Sequence, residues 1–467
     1  LNSGTINLES PSMGKYTINS YGSVDINGGT ITRSGVIEPD GGAYAIRAVS
    51  GTVTVDNANI DSGDNGIGVG PYWPKDKKGN YTAVTVSDSY IDAVTYGIAV
   101  FGVGDMEDNG SVTLTLENVV VNSDGTCISS NASSGDHAGF TIDVNGGVYT
   151  GEFGIYAPGY GIYNVDGAHI TATIAGIQMA AGVLNINDDT VIETKGVNGG
   201  IYNSLAPGGS GTGDISGAIV VGKHGGGYVG DIDVNINGGT LIAPEGGDAI
   251  VILDNSTGID LLESYHTNVD ATGGDIVGNV VFTTATSDNS NKDKEPGKID
   301  FNLDGSSVDG DIIKSDDFQG DAVITSGTVT GDVTGGVDAP SSTGSVYFYD
   351  LGITTTYYGS FVLPSEPSRS IEGYPFLGYS LSPDSTTIDY LPGATVSGLT
   401  GNVTVYEVWE NDNPYVPFPD DDDDYVPIPP VVYEDSGDDD TVTIVACAAA
   451  AVVAAILAVF LIVERKH

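Results

Sequence analysis

The segment VTVDNANIDSGDNGIGV, residues 53–69, decides the fold because the chain repeats its pattern. The next copies are VTVSDSYIDAVTYGIAV at 84–100 and LTLENVVVNSDGTCISS at 114–130. Each copy has an apolar-x-apolar triplet, four further residues, another apolar residue, a glycine-containing turn and a second short apolar stretch. Self-similarity of this kind is typical of repeat architectures, in which one small unit cannot bury its apolar face alone.

The apolar anchor of each copy recurs at a spacing whose shortest value is 21 residues. Successive spacings are 29, 31, 30, 28, 21, 21 and 50 for the anchors Ile26, Val55, Val86, Leu116, Val144, Val165, Ile186 and Ile236. We interpret 21 residues as the bare unit and the longer spacings as units that carry loop insertions. Further along, the same offset of 21 relates Leu303, Val308 and Ile312 to Ile324, Val329 and Val333, and the related Ile276 and Val280 precede them.

Alternation of residue types within a copy indicates short strands with one inward face. Ile232, Val234 and Ile236 alternate with Asp and Asn residues, so the apolar side chains share one side of the strand. Stacking the same strand from successive units makes a parallel ladder with a continuous core. We therefore predict a mostly β fold, with a parallel β-helix over residues 1–344 that has two or three strands per coil. Glycine and asparagine supply corners with positive φ, and we expect asparagines to stack on asparagines along the ladder.

Composition limits the partners. The 467 residues carry a formal net charge of −48, with 15 Lys and Arg against 63 Asp and Glu. Such a surface repels nucleic acid and leaves cations, basic partners or neutral sugars as ligands. The two cysteines, Cys127 and Cys447, lie in the array and in an apolar C-terminal segment, so we expect no disulfide between them. The five histidines lack metal-ligand spacing, so no metal site is predicted.

The C-terminal part of the chain is predicted to anchor it to a membrane. Residues 442–463 are 22 residues without a charge, followed by the basic tail 464–467, so we expect a transmembrane helix with a cytoplasmic C-terminus and an extracellular N-terminal region. Residues 411–441 hold six prolines, eleven acidic residues and no Lys or Arg, which predicts a disordered, extended stalk. No cofactor is expected, apart from calcium loosely attracted to the acidic run 420–424. Because the chain starts at Leu1 and not at Met, we expect a processed or truncated N-terminus.

Residues 345–410 break the repeat and are rich in proline and aromatic residues. The motifs in order are FVLP at 361–364, GYPFLGY at 373–379, SPD at 382–384, YLPG at 390–393 and VTVYEVWE at 403–410. They resemble the Listeria–Bacteroides repeat, the internalin-type B repeat of prokaryotic surface proteins, with Tyr379 where that family usually has Trp. The resemblance implies a small β-grasp-like module whose aromatic residues build its core, so no binding site is predicted in it.

The repeat over residues 1–340 resembles the right-handed parallel β-helix superfamily, which includes pectin-degrading enzymes and many adhesins. The order of array, module, acidic stalk, single helix and basic tail resembles adhesin-like surface proteins of prokaryotes, in particular those of host-associated methanogenic archaea. The resemblance implies a non-enzymatic cell-surface adhesin that contacts host cells, neighbouring cells or polysaccharide. Two alternatives stay open: a surface-anchored polysaccharide-degrading enzyme of the polygalacturonase or lyase type, and a spacer that binds nothing specific.

The enzyme alternative has a small set of candidate catalytic residues. Polygalacturonase-type enzymes use clustered aspartates and a Gly-His-Gly, and here Asp166, Asp188, Asp189 and His224 occur in that order. Lys223 replaces the first glycine of that motif, no Arg-x-Lys follows, and aspartates directly after a strand are also typical of turns. A lyase would need an arginine or lysine base, yet Arg33 and Arg47 lie in no recognisable lyase motif.

One insertion has the composition of a ligand-binding loop. Within 71–78, three lysines and one of the chain's two tryptophans stand together in an otherwise acidic protein. Exposed aromatic and cationic side chains can hold a sugar or an anionic group. The candidate ligand-binding residues are Tyr72, Trp73, Lys75, Lys77 and Lys78, and the structural alternative is a lid packed on the rod with solvated lysines.

Overall fold

The computed structural model describes residues 1–12, 14–36, 42–71, 81–102, 112–132, 140–187, 189–202, 214–222, 230–254, 266–284, 298–340, 343–371, 374–383 and 385–410. These residues form strands and no helix, and accordingly none of them forms a helix that could span a membrane. The predicted stalk, transmembrane helix and tail at 411–467 lie outside the described residues.

In the first half of the array, the described residues form sixteen strands. They are β1 (Thr5–Glu9), β2 (Tyr16–Ser20), β3 (Val24–Ser34), β4 (Tyr44–Ala48), β5 (Gly51–Ser62), β6 (Asn65–Val69), β7 (Thr82–Ser87), β8 (Tyr90–Ala93), β9 (Tyr96–Gly102), β10 (Val112–Glu117), β11 (Val120–Ser123), β12 (Thr126–Ala132), β13 (Phe140–Asn145), β14 (Val148–Ala157), β15 (Ile162–Asp166) and β16 (His169–Met179).

The remaining described residues contain nineteen further strands. They are β17 (Gly182–Ile186), β18 (Val191–Thr194), β19 (Gly217–Val221), β20 (Ile232–Ile236), β21 (Thr240–Ile242), β22 (Asp248–Asp254), β23 (Thr267–Ala271), β24 (Asp275–Val277), β25 (Asn279–Thr284), β26 (Ile299–Asp309), β27 (Ile312–Lys314), β28 (Asp321–Val329), β29 (Val333–Thr334), β30 (Thr343–Phe348), β31 (Ile353–Tyr358), β32 (Ser360–Val362), β33 (Phe376–Ser380), β34 (Thr395–Ser397) and β35 (Val403–Trp409).

Strand pairing from β1 to β29 is parallel and falls into three ladders, so the array is one large parallel β-sheet of the kind that a parallel β-helix requires. Ladder A consists of β3, β5, β7, β10, β13, β15, β17, β20, β23, β26 and β28. Ladder B begins with β1, continues through the second halves of β3 and β5, and includes β8, β11, β18, β21 and β24. Ladder C includes β2, β4, β6, β9, β12, β19, β22, β25, β27 and β29. Four long strands pass from ladder A to B, and β14 and β16 pass from B to C.

Each ladder contributes columns of apolar residues to one continuous core. In ladder C, nine isoleucines pair in register from coil to coil, and the column then continues with valine and isoleucine: Ile18, Ile46, Ile67, Ile98, Ile128, Ile155, Ile177, Ile219, Ile250, Val280, Ile312 and Val333. In ladder A, the eight anchors found by their spacing are neighbours in one column. The register predicted from the offsets of 21 residues is also the observed one, because Leu303 pairs with Ile324 and Ile312 with Val333.

The corner between ladders A and B requires left-handed backbone in several coils. Asn57, Asp88, Asn118 and Asp189 have φ between 44° and 63°, and they are the non-glycine residues with positive φ in the described part of the chain. Asparagine and aspartate tolerate this conformation because their short polar side chains bond locally to the backbone. Gly146 and Gly167, with φ of 71° and 63°, serve the same corner in other coils.

The chain divides into two compact units. The first comprises Leu1–Gly344, Thr355–Phe361 and Ser397–Gly401, and the second comprises Ser345–Thr354, Val362–Val396 and the described residues from Asn402. In the first unit, β31 pairs antiparallel with the end of β28, and Ile324 donates a backbone hydrogen bond to Asp338. These segments cover the last coil, whose strand edges would otherwise offer unpaired backbone groups.

The second unit is a small sheet centred on β35. β30 pairs with β35 in parallel and β33 pairs with it antiparallel. Its core includes Leu363, Tyr379, Val396, Val405 and Val408. Tyr379 is therefore a core residue, as the sequence predicted for the aromatic residues of this segment, whereas other tyrosines of the unit are exposed.

Candidate functional site

The outward face of ladder A carries a hydrogen-bonded column of short polar side chains. Asn164 donates to Asp143 at 2.7 Å, Asn185 donates to Asn164 at 2.8 Å and Asn235 donates to Asn185 at 2.9 Å. The four residues pair in register on successive strands, so neighbouring side chains lie about one strand spacing of ~4.8 Å apart. The predicted stacking of asparagines along the ladder is confirmed.

A second polar column runs beside the first, and the candidate acid Asp166 belongs to it. Asn145 pairs in register with Asp166 and donates to Glu117 at 2.8 Å, and Asn237 donates to Asn187 at 3.3 Å. Asp166 is exposed at the end of β15, and its carbonyl oxygen accepts a hydrogen bond from Gly146 at 2.7 Å. Its position is thus the outward end of a strand that leads into the A–B corner.

Asp189 lies at the same corner one coil further along. Its φ of 63° places it among the left-handed corner residues, where Asp88 occupies an equivalent position in an earlier coil. The structure therefore brings Asp166 and Asp189 to one corner in adjacent coils, and the backbone conformation of that corner accounts for the choice of aspartate at 189. The other two members of the predicted catalytic set, Asp188 and His224, lie outside the described residues.

Arg33, the first of the two arginines considered for a lyase, is a structural residue. Its side chain is fully buried, and its guanidinium donates hydrogen bonds to the carbonyl oxygens of Lys15, Ser10, Ser34 and Ser12 at 2.5–3.2 Å. Burial lowers the pKa of Arg33, while the nearby Asp64 acts in the opposite direction. A buried arginine whose guanidinium donates hydrogen bonds to four backbone carbonyl oxygens is not placed to act on an external substrate.

Arg47, the second arginine, lies on the outward side of ladder C among aromatic rings. Its Cζ is 4.9 Å from the ring centroid of Phe101 and 5.7 Å from that of Tyr44, and it is only 2 % exposed. The rings of Tyr44 and Phe101 meet edge to face at 6.4 Å, and Tyr16 lies 5.9 Å from Tyr44. This arrangement is a cation–π cluster in which the protein holds its own guanidinium.

The described residues offer neither a reactive thiol nor a cluster of metal ligands. Cys127 is fully buried, and burial raises the pKa of its thiol to about 12, so it is not an activated nucleophile. Among the described residues, no three His, Cys, Asp or Glu side chains are arranged to hold a metal ion. On ladder A, burial, then Asp231 and Asp270, raise the pKa of Asp233. The loose attraction of calcium to the acidic run 420–424 stays a prediction, because that run lies outside the described residues.

The predicted ligand-binding loop also lies outside the described residues, since Tyr72, Trp73, Lys75, Lys77 and Lys78 all fall within 72–80. The described residues on either side are Pro71, which is buried and follows β6 of ladder C, and Tyr81, which is 49 % exposed and precedes β7 of ladder A. The role of the five residues stays a prediction.

The sequence analysis missed a group of exposed tyrosines in the second unit. Tyr347 and Tyr349 are 36 % and 53 % exposed, and both contact neighbouring tyrosine rings. The signal was present in the sequence, because Tyr347 and Tyr349 are separated by one residue and so share a strand face. The expectation that the aromatic residues of 345–410 build the core concealed it.

Comparison with protein-family models, with curated proteins and with solved structures gave no match.

Proposed function

We propose that this chain is a membrane-anchored, adhesin-like cell-surface protein that presents a parallel β-helical rod for contact with cells, a host or polysaccharide. In this proposal the rod is right-handed, the second unit is a Listeria–Bacteroides repeat, 411–441 is the stalk, and 442–463 is the anchor with a cytoplasmic tail behind it. The combination of these features in the sequence resembles adhesin-like proteins of methanogenic archaea.

The observation that carries the proposal is the pair of polar columns on ladder A. Amide and carboxylate side chains form hydrogen bonds to one another from coil to coil, so the outward face of ladder A presents rows of linked polar groups. Asparagine amides keep further donors and acceptors for an external partner. A long, regular face of this kind suits an extended partner such as a glycan chain or a cell envelope.

A polysaccharide-degrading enzyme is the second candidate, because Asp166 and Asp189 lie at one corner in adjacent coils. The support for it is weaker. Both aspartates occupy positions that the strand end and the left-handed corner explain, and both arginines considered for lyase chemistry are buried.

The two candidates are separated by measuring binding and turnover together. The full chain in detergent is applied to a polysaccharide array, and the same polysaccharides are assayed for new reducing ends and for unsaturated products. An adhesin binds without turnover, and Trp73→Ala and Lys77→Ala reduce binding if the 72–78 loop contributes. Lys195→Ala is the matched control, since the Lys195 side chain is 54 % exposed on ladder B.

Turnover that disappears in Asp166→Asn or Asp189→Asn would replace the adhesin proposal by a surface glycosidase. For Asp189 a second variant, Asp189→Gly, keeps the left-handed corner and removes the carboxylate. Loss of turnover in both Asp189 variants, with the strand content unchanged, assigns the effect to the carboxylate and not to the corner. Absence of both binding and turnover would favour the spacer alternative.

A further inference from the structure

Three tyrosines form an exposed aromatic cluster on the second unit. Tyr347 and Tyr349 lie on β30 and directly after it, and Tyr406 lies on the neighbouring β35. The rings of Tyr347 and Tyr349 are 6.3 Å apart at 84°, and those of Tyr349 and Tyr406 are 5.1 Å apart at 39°. The three rings therefore contact one another in a row, with the ring of Tyr347 edge-on to that of Tyr349.

The same chain contains an occupied cluster of the same kind. Around Arg47, Tyr44 and Phe101 meet at 6.4 Å and 74°, close to the 6.3 Å and 84° of Tyr347 and Tyr349. There the rings lie against a guanidinium, with Cζ 4.9 Å from one ring centroid. Among the described lysines and arginines, Arg47 is the one that lies over aromatic rings, so the tyrosine cluster of the second unit has a similar ring geometry without a cation of its own.

Charge around the cluster favours a cation. Residues 345–410 contain seven acidic residues against a single basic one, Arg369. The carboxylate of Asp350, which follows Tyr349, accepts a hydrogen bond at 2.7 Å from the backbone N–H of Glu407, which follows Tyr406, so an acidic residue adjoins each of these two tyrosines in the sequence. Aromatic faces in a segment of net negative charge attract a cation.

We propose that Tyr347, Tyr349 and Tyr406 form a receptor for an arginine side chain presented by a partner protein. Arginine is favoured over lysine because its planar guanidinium stacks on aromatic faces and is more weakly hydrated than an ammonium. Cross-strand packing alone explains why the rings touch, yet it does not require two of the three to be more than a third exposed. The proposal is independent of the proposed function, since the site lies in the second unit and needs nothing from the rod.

The test uses the full chain in detergent and a fluorescently labelled, glycine-rich peptide that contains two arginines. The same peptide with citrulline keeps the shape and removes the charge, and the lysine version keeps the charge and removes the planar group. Fluorescence anisotropy is measured at physiological and at high salt, because screening suppresses general attraction to the acidic surface. Tyrosine-to-leucine variants leave the net charge unchanged, so the general attraction of the peptide to the acidic surface is the same for variant and native chain.

We expect Tyr349→Leu to weaken binding of the arginine peptide about two- to fivefold, the size of one exposed cation–π contact. The double variant Tyr347→Leu/Tyr349→Leu should lose about tenfold, and Tyr349→Phe should bind like the native chain because it keeps the ring. Tyr21→Leu is the matched control, since Tyr21 is 68 % exposed in the first unit.

Three results would overturn the proposal. Equal binding of the citrulline peptide would show that the positive charge is not recognised. Unchanged binding in the double leucine variant would show that the tyrosine rings do not form the site. Loss of binding in Tyr349→Phe would show that the peptide is held through the hydroxyl and not through the ring face. Binding or turnover on the polysaccharide array decides none of these outcomes, so failure of this proposal and failure of the proposed function are distinguishable.

Discussion

Replacing Asn164 by aspartate should reverse the stabilising contribution of the polar column on ladder A. The column has a direction, which Asp143 sets because an ionised carboxylate only accepts hydrogen bonds. Asn164 must turn its NH2 group towards Asp143, so its oxygen faces Asn185, which in turn donates to it. In Asn164→Asp the donor to Asp143 disappears and two carboxylates stand on adjacent strands.

The magnitude follows from two contributions. A hydrogen bond to a charged group contributes roughly 1.5–3 kcal/mol, and the 2.7 Å bond to Asp143 is of this kind. Repulsion between two carboxylates about 5 Å apart adds roughly 1–3 kcal/mol at the effective dielectric of a partly exposed site. We therefore expect the free energy of unfolding to fall by about 3–5 kcal/mol at pH 7.

The pH dependence and a reciprocal variant test the reasoning. The deficit of Asn164→Asp should be complete at pH 7 and smaller at pH 4, because protonation of one of the two facing carboxyl groups restores a donor and removes the repulsion. The double variant Asp143→Asn/Asn164→Asp restores one donor and one acceptor, so its stability should return to within about 1 kcal/mol of the native chain.

The assay is urea unfolding at pH 7 and pH 4, combined with amide hydrogen exchange of β13, β15 and β17, because a long array need not unfold in two states. A deficit below about 0.5 kcal/mol in Asn164→Asp would refute the reasoning. So would a double variant as unstable as the single one, since a directed column predicts recovery.

Two further predictions concern the core. Ile128→Ala should lower the free energy of unfolding in urea by about 2–5 kcal/mol, because Ile128 is fully buried between Ile98 and Ile155. Ile18→Ala, at the half-buried start of the column, should cost less than half as much. Equal costs for the two variants would contradict a stacked core. Burial raises the pKa of Cys127 to about 12, so stability should fall as the pH rises from about 8.5 towards 12, by at most ~1.4 kcal/mol per pH unit, and Cys127→Ala should flatten this slope between pH 8.5 and 10.

The core columns could be predicted from sequence because spacing alone defines them. Ile26 and Val55 occupy equivalent places in their copies, and a one-residue slip would turn the apolar side chains outward. The number of ladders was harder to predict from the sequence, because β6 and β9 lack the apolar–polar alternation of a half-buried strand. In β6, for example, Asn65–Val69 is buried throughout.

The contacts of the two arginines could not be predicted from sequence for a different reason. Arg33 lies near the end of β3, and only the path of residues 10–15 brings the carbonyl groups of Ser10, Ser12 and Lys15 to it. Likewise, Phe101 on β9 contacts Arg47 on β4 across the intervening strand β6 of ladder C. Contacts of this kind depend on residues that are distant in the sequence and close in three dimensions, and no local pattern encodes them.

The polar columns and corners also explain why motif matching in a parallel array of this kind yields apparent carboxylate sites. The A–B corner favours glycine, asparagine or aspartate because its backbone is left-handed, and the outward columns favour short amides and acids because they stack at ~4.8 Å. Acidic residues therefore gather on one side of the array for backbone and stacking reasons alone. A catalytic aspartate in such an array should be one whose position neither requirement explains. Asp189 meets the requirement of the left-handed corner, so its position is not by itself a sign of catalysis.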